Sequence, residues 1–263
     1  TVSMYATGAN TLNLDQDTNS VGAAYQLKRG ANLANFSLRN DNITGYGSQN
    51  TGGASYGYFF TKELRVNVNY GTGFKAPSFN DLYFPNYGNQ NLQAEKSKNT
   101  EIGLHYESKS IDLHIIGFNS TITNLIQYTS SSPPCTSSQL NGPQGGCAGN
   151  AGEAKISGVS VGGVARFSNL RMRASMDQQN PIAQNTGYLL AKRARQFGNI
   201  GADYKYKRIN VGAEGTFQGG RYNSGNSDYM GGYAIYNLYG NYEFSKNWTL
   251  FGRWNNIFNI FIK

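Results

Sequence analysis

Apolar and polar side chains alternate with a period of two along most of this chain. Over residues 64–70, Leu64, Val66, Val68 and Tyr70 fall on one side and Arg65, Asn67 and Asn69 on the other, as successive residues of an extended strand must. Residues 170–177 set Leu170, Met172, Ala174 and Met176 against Arg171, Arg173, Ser175 and Asp177, and the same rhythm returns at 209–218 and 234–244. The pattern predicts about thirteen strands, near 1–8, 20–29, 31–42, 52–62, 64–75, 100–108, 110–129, 153–168, 170–179, 194–206, 208–219, 231–244 and 248–258. No segment carries a helical period, so the fold class is all-β.

The connections between these strands have an order of their own. Short ones at 28–32, 61–64, 108–111, 167–170, 206–209 and 245–248 alternate with long ones near 43–51, 76–99, 130–152, 180–193 and 220–230. Such segregation is the mark of an antiparallel up-and-down transmembrane β-barrel, with tight turns at its periplasmic rim and long loops outside the cell. Tyr70, Tyr106, Tyr128, Tyr206, Tyr242, Trp248 and Trp254 stand near strand ends. Amphipathic rings favour the boundary between hydrocarbon and headgroups, although ordinary core packing would serve for any single one.

Composition sharpens this picture. Among 263 residues there are 33 glycines, 19 tyrosines and 14 phenylalanines, while charged residues make up only 14%. There is no run approaching the roughly 18 apolar residues of a membrane helix and no secretory signal, whereas barrel strands need only about 9–11 residues each. The net charge of +8 is spread over 23 basic residues with no basic helix or block, so no nucleic-acid partner is expected.

Cys135 and Cys147 lie in "PPCTSSQLNGPQGGCAGN" with eleven residues between them. Their natural reading is a disulfide that closes a surface loop in an oxidising compartment, contributing about 3 kcal/mol by loop entropy; two unpaired cytosolic thiols are the alternative. Neither a CxxC motif nor a histidine cluster points to a metal. His105 and His114 fall on the polar faces of adjacent strands without a nucleophile or carboxylate constellation, so neither an enzyme nor a cofactor is expected.

Five segments together carry a likeness. "YGTGFKAPSFNDLY" (70–83), "GNQNLQAEKSKNTEIGLHY" (88–106), "NLIQY" (124–128), "NAGEAKISGVSVGG" (150–163) and "NNIFN" (255–259) resemble, in order, the barrel signature of TonB-dependent outer-membrane receptors. Gln90 and Ala94 stand where that family commonly has prolines, and Ser160 replaces a frequent glutamate. The resemblance implies that residues 1–263 are a partial receptor barrel domain. They would form roughly the C-terminal 60% of a barrel of about 22 strands, without the plug domain, the TonB box or a closing strand after "IFIK" (260–263).

The family resemblance implies energy-coupled uptake of a scarce substrate across the outer membrane. "LLAKRARQ" (189–196) and "GGRYNSGNSDYMGGY" (219–233) resemble the cobalamin transporters within it. On that reading the partners are a small-molecule substrate (cobalamin or a metal chelate), outer-membrane lipid and lipopolysaccharide, and the TonB complex through a plug outside this chain. The segment 76–99 would present Phe79, Tyr83, Phe84, Asn86, Tyr87 and Asn89 to a ligand. Lys192 and Arg193 match a substrate-facing arginine pair, and Tyr222 and Tyr229 a tyrosine-bearing loop. The rings serve equally to pack the loop, and the cations to face lipopolysaccharide phosphates. A siderophore receptor, a passive porin and a soluble adhesive β-protein are the alternative functions.

Overall fold

Antiparallel pairing of each long strand with the next builds one twelve-stranded sheet in the computed structural model, which describes residues 2–5, 11–224 and 227–259. Its strands are β3 (Thr18–Arg29), β4 (Asn32–Ile43), β5 (Gly47–Phe59), β6 (Leu64–Lys75), β7 (Glu95–Glu107) and β8 (Ile111–Thr129). They continue as β9 (Cys147–Phe167), β10 (Leu170–Ala183), β11 (Gln196–Tyr206), β12 (Ile209–Gln218), β15 (Tyr233–Ser245) and β16 (Trp248–Trp254). Two small antiparallel pairs accompany the sheet, β1 (Val2–Tyr5) with β2 (Thr11–Leu14) and β13 (Arg221–Ser224) with β14 (Ser227–Met230). The outer strands β3 and β16 are exposed along their whole length and do not pair with each other, so the sheet is open.

The predicted strands correspond to the observed ones with instructive differences. Residues 43–51 form no long connection: β4 and β5 are joined by a turn over 44–46. β7 and β9 begin earlier than the alternation suggests, at Glu95 and Cys147. The strand expected at 1–8 is seen as β1, with 1 and 6–8 outside the described residues, and the last ends at Trp254 rather than 258. Residues 260–263 also lie outside the described residues. Two helices appear where none was expected, α1 (Phe79–Tyr83) and α2 (Ser137–Leu140). They are single turns fixed by capping boxes, Ser78 with Asp81 and Thr136 with Gln139, too short to show a period.

One face of the sheet is apolar and bare. Val68, Ile102 and Val161 are 45%, 58% and 47% exposed, a distribution that only a lipid solvent makes favourable. The opposite face is ionic. Arg173 Nη1 lies 2.5 Å from Asp203 and its Nη2 3.2 Å from Glu214, while Tyr239 donates to Asp203 and Arg253 pairs with Glu214. Small residues make room for this network. A Cβ at Gly201 would stand 2.6 Å from the Arg173 guanidinium carbon, and one at Gly212 would enter the Tyr239 ring.

Candidate functional site

The long connections 76–94, 130–146, 184–195 and 219–232 all leave the same end of the sheet, because each follows an even number of antiparallel passes counted from β3. The buried apolar residues gather at this end, in the loops and in the strand ends beside them. Leu82 of α1 packs with Leu92 and Ala148, ringed by Tyr46, Tyr83, Tyr87 and Ile126. Burial in this cluster pushes the Tyr46 phenol up to about 12, with the nearby Tyr83 and Asp81 adding to the effect, and burial also raises Tyr87.

Hydrogen bonds clamp the loop 76–94 from both sides. Asn150 Nδ2 donates to the carbonyls of Gln93 (2.9 Å) and Asn124 (2.8 Å), and its Oδ1 accepts from the Gln93 N–H at 2.7 Å. The buried Glu95 carboxylate accepts from the Ile126 N–H at 3.0 Å and meets Lys75 at 3.5 Å. On the other flank, Asn89 Nδ2 donates to the Ala148 carbonyl at 3.1 Å and Gln139 Nε2 to the Gly88 carbonyl at 2.8 Å. The Cys135–Cys147 disulfide is formed, and it anchors the loop that carries α2 beside this clamp.

These clamp residues come from segments that the sequence presents as separate motifs. Gln93 and Glu95 belong to "NQNLQAEKS", Asn124 to "NLIQY" and Asn150 to "NAGEAKISG". Replacing Asn150 with alanine should therefore leave the Gln93 N–H without its acceptor and free the end of the loop, at a cost of about 1–3 kcal/mol. Hydrogen exchange should show this as faster exchange of the Gln93 and Ile126 amides, with protection of the β9–β10 ladder unchanged.

The site residues expected from sequence fall into two groups that share no cavity. Tyr83 lines a cavity of about 570 Å³ together with Tyr46, Phe79 and the carboxamides of Gln49, Gln90 and Asn91. Asn86 is exposed in the same loop in a left-handed conformation (φ 58°), whereas Tyr87 serves the apolar cluster, and neither lines that cavity. Lys192 and Arg193 line a second cavity of about 350 Å³ with Gln179, Phe197, Phe217 and Gln218. Tyr222 and Tyr229 pack edge to face at 5.4 Å on β13 and β14, and the Lys192 N–H donates to the Tyr222 carbonyl at 2.6 Å. The Tyr222 carbonyl thus holds the backbone of the cationic turn, and neither tyrosine lines its cavity. Neither Lys192 nor Arg193 forms an ion pair among the described residues.

His105 and His114 are direct cross-strand partners on the ionic face, with ring centroids 6.2 Å apart. Among the described residues no group of three or more histidine, cysteine or acidic side chains is arranged to hold a metal.

Comparison with known proteins adds a lineage to this geometry. The profile of the family described as "TonB dependent receptor-like, beta-barrel" matches residues 3–257. The chain is 30% identical over 227 residues to the vitamin B12 transporter BtuB of Photobacterium profundum, covering 85% of this chain and 36% of that protein. Against BtuB of Vibrio vulnificus the identity is 27% over 257 residues, covering 96% and 40%. The chain thus spans about 40% or less of the length of these relatives. Its fold superposes on a mutant of the ferric enterobactin receptor PfeA of Pseudomonas aeruginosa in complex with enterobactin. The TM-score is 0.77 at 18% identity, over 92% of this chain and 40% of the other. It also superposes on the copper transporter OprC, with TM-score 0.75 at 15% identity, over 95% and 45%.

Proposed function

The chain belongs to the TonB-dependent receptor-like β-barrel family of the outer membrane, and from that premise we propose that it forms the wall and extracellular loops of a receptor that captures a scarce substrate for uptake. The favoured substrate is cobalamin. The observation that carries this reading is the 570 Å³ cavity at the long-loop end, which mixes the rings of Tyr46, Phe79 and Tyr83 with carboxamides. A corrin offers a broad apolar face fringed with amides, and stacking rings beside amide donors and acceptors suit both parts. The names of the relatives, vitamin B12 transporters, favour the same ligand.

On this reading Tyr83 and Asn86 contact ligand from the first loop and Tyr87 holds that loop in shape. Lys192 and Arg193 supply positive charge from the second cavity, with Tyr222 and Tyr229 holding their turn. The complete receptor would add the remaining strands and a plug through which the TonB complex acts, the barrel resting in phospholipid and lipopolysaccharide.

A second reading is a receptor for a ferric siderophore, favoured by the two unpaired cations, which suit an anionic chelate. Equilibrium titration of the detergent-solubilised complete receptor separates the two. Saturable, submicromolar binding of cyanocobalamin with none of ferric enterobactin is expected. The reverse order of affinities would replace cobalamin by a chelate.

A further inference from the structure

The short-turn rim carries a feature for which the substrate site has no use. Five of its six turns bear cations: Lys28 and Arg29 precede 30–31, Lys62 lies in 60–63, Lys109 in 108–110, Lys207 and Arg208 form 207–208, and Lys246 lies in 246–247. All are exposed, and none forms an ion pair among the described residues. Two acids near this rim, Glu107 and Asp112, are already engaged by Arg65 at 2.9 Å and Arg166 at 2.6 Å. Glu63, which accepts a hydrogen bond from Thr61, and Glu243 beside Arg208 keep their charges, so the seven turn cations outnumber the remaining acids.

The rim is one continuous edge. Each turn is tied to the next by a backbone hydrogen bond: Phe59 to Ala31, Glu107 to Glu63, Arg166 to Ser110, Lys205 to Asn169 and Glu243 to Arg208, at 2.7–2.9 Å. Just inside it, on the apolar face, stand Phe60, Phe167, Tyr206, Phe244 and Trp248, between 51% and 75% exposed. The Lys207 ammonium sits 5.2 Å from the centre of the Tyr206 ring. Rings at the hydrocarbon boundary place the cations one step outward, at the depth of lipid phosphates.

We propose that this basic edge docks anionic phospholipid headgroups of the periplasmic leaflet. The inference rests on the outer-membrane placement and on short turns facing the periplasm, and is independent of which substrate the loops capture. Charge complementarity selects the partner: an array of unpaired cations above a belt of rings fits a sheet of phosphodiesters, not a single ion. Each engaged cation favours an anionic over a zwitterionic headgroup about fivefold.

The test uses the delipidated complete receptor and native mass spectrometry, with phosphatidylglycerol and phosphatidylcholine of matched chains as probes. Retention of at least about threefold more phosphatidylglycerol is expected. The preference should disappear in the variant Lys28→Gln, Arg29→Gln, Lys62→Gln, Lys109→Gln, Lys207→Gln, Arg208→Gln and Lys246→Gln. It should persist when Lys98 and Lys155, at the opposite end of β7 and β9, become glutamine. Equal retention of both lipids by the native receptor, an unaffected turn variant, or equal loss in the opposite-end control overturns the proposal. So does complete displacement by millimolar inorganic phosphate, which would mean an ion site only. Should the turn variant fail to assemble, the native receptor decides: the preference must collapse between low and about 0.5 M salt, and persistence refutes it.

Discussion

Placing an arginine at Val161 should destabilise the barrel by about 2–4 kcal/mol in a bilayer. Val161 stands on the apolar face of β9, opposite Ile115 of β8 and Met176 of β10, and is 47% exposed. In a soluble protein an exposed valine accepts such a change with little effect; here the guanidinium would enter hydrocarbon. The adjacent Ser160 offers the control, since it lies on the ionic face opposite Asp177. Ser160→Arg should change stability by no more than about 1 kcal/mol. Urea unfolding of the complete receptor in vesicles measures both. Equal costs at these neighbouring positions would refute the assignment of one face to lipid.

Removing the two cations of the 184–195 loop should weaken ligand binding by about 10- to 100-fold, the effect of losing one charge-assisted hydrogen bond or more. Lys192 and Arg193 line the second cavity and have no carboxylate partner among the described residues, so their charge is available to a ligand. The comparison is Lys246, also exposed but in a turn at the far rim. Titration of the double variant Lys192→Ala, Arg193→Ala against Lys246→Ala, with the ligand that the complete receptor binds, provides the measurement. An unchanged affinity in the double variant would assign these cations to the solvated rim facing lipopolysaccharide.

How much of this was legible in the sequence depended on the range of the interaction. The face of every residue in 64–70 or 170–177 follows from a period of two, which is local, and the structure places each as the alternation requires. The β4–β5 connection was misread because "ITGYGSQNTGG" is rich in glycine and polar residues. Those residues have weak strand preference, and the ladder pairing Ile43 with Gly47 overrides it. The capping pairs Ser78–Asp81 and Thr136–Gln139 were visible as spacings, but a single helical turn generates no period to draw attention to them.

The candidate site was legible as a set of residues and not as an arrangement. The disulfide followed from the spacing of the two cysteines and the composition between them, and it is present. That Tyr83 and Tyr87 would both pack on the loop cluster while Tyr83 alone of the two lines the cavity depends on how α1 sits on Ala148, a contact between segments far apart in the chain that no local pattern encodes. The clamp is of the same kind. Asn150 and Gln93 are 57 positions apart and meet only because β7, β8 and β9 hold one register.

The glycines of the ionic face carry a consequence for anyone who would redesign this protein. Gly201 accommodates Arg173 and Gly212 accommodates Tyr239, so the inner surface is assembled from complementary couples spread over neighbouring strands. A larger residue at Gly201 obliges the Arg173 guanidinium, the far end of a flexible side chain, to swing away from Asp203 and Glu214, and one at Gly212 displaces the Tyr239 ring. Libraries that vary these couples jointly should open interior shapes that single changes reach only by giving up bonds of the ionic network.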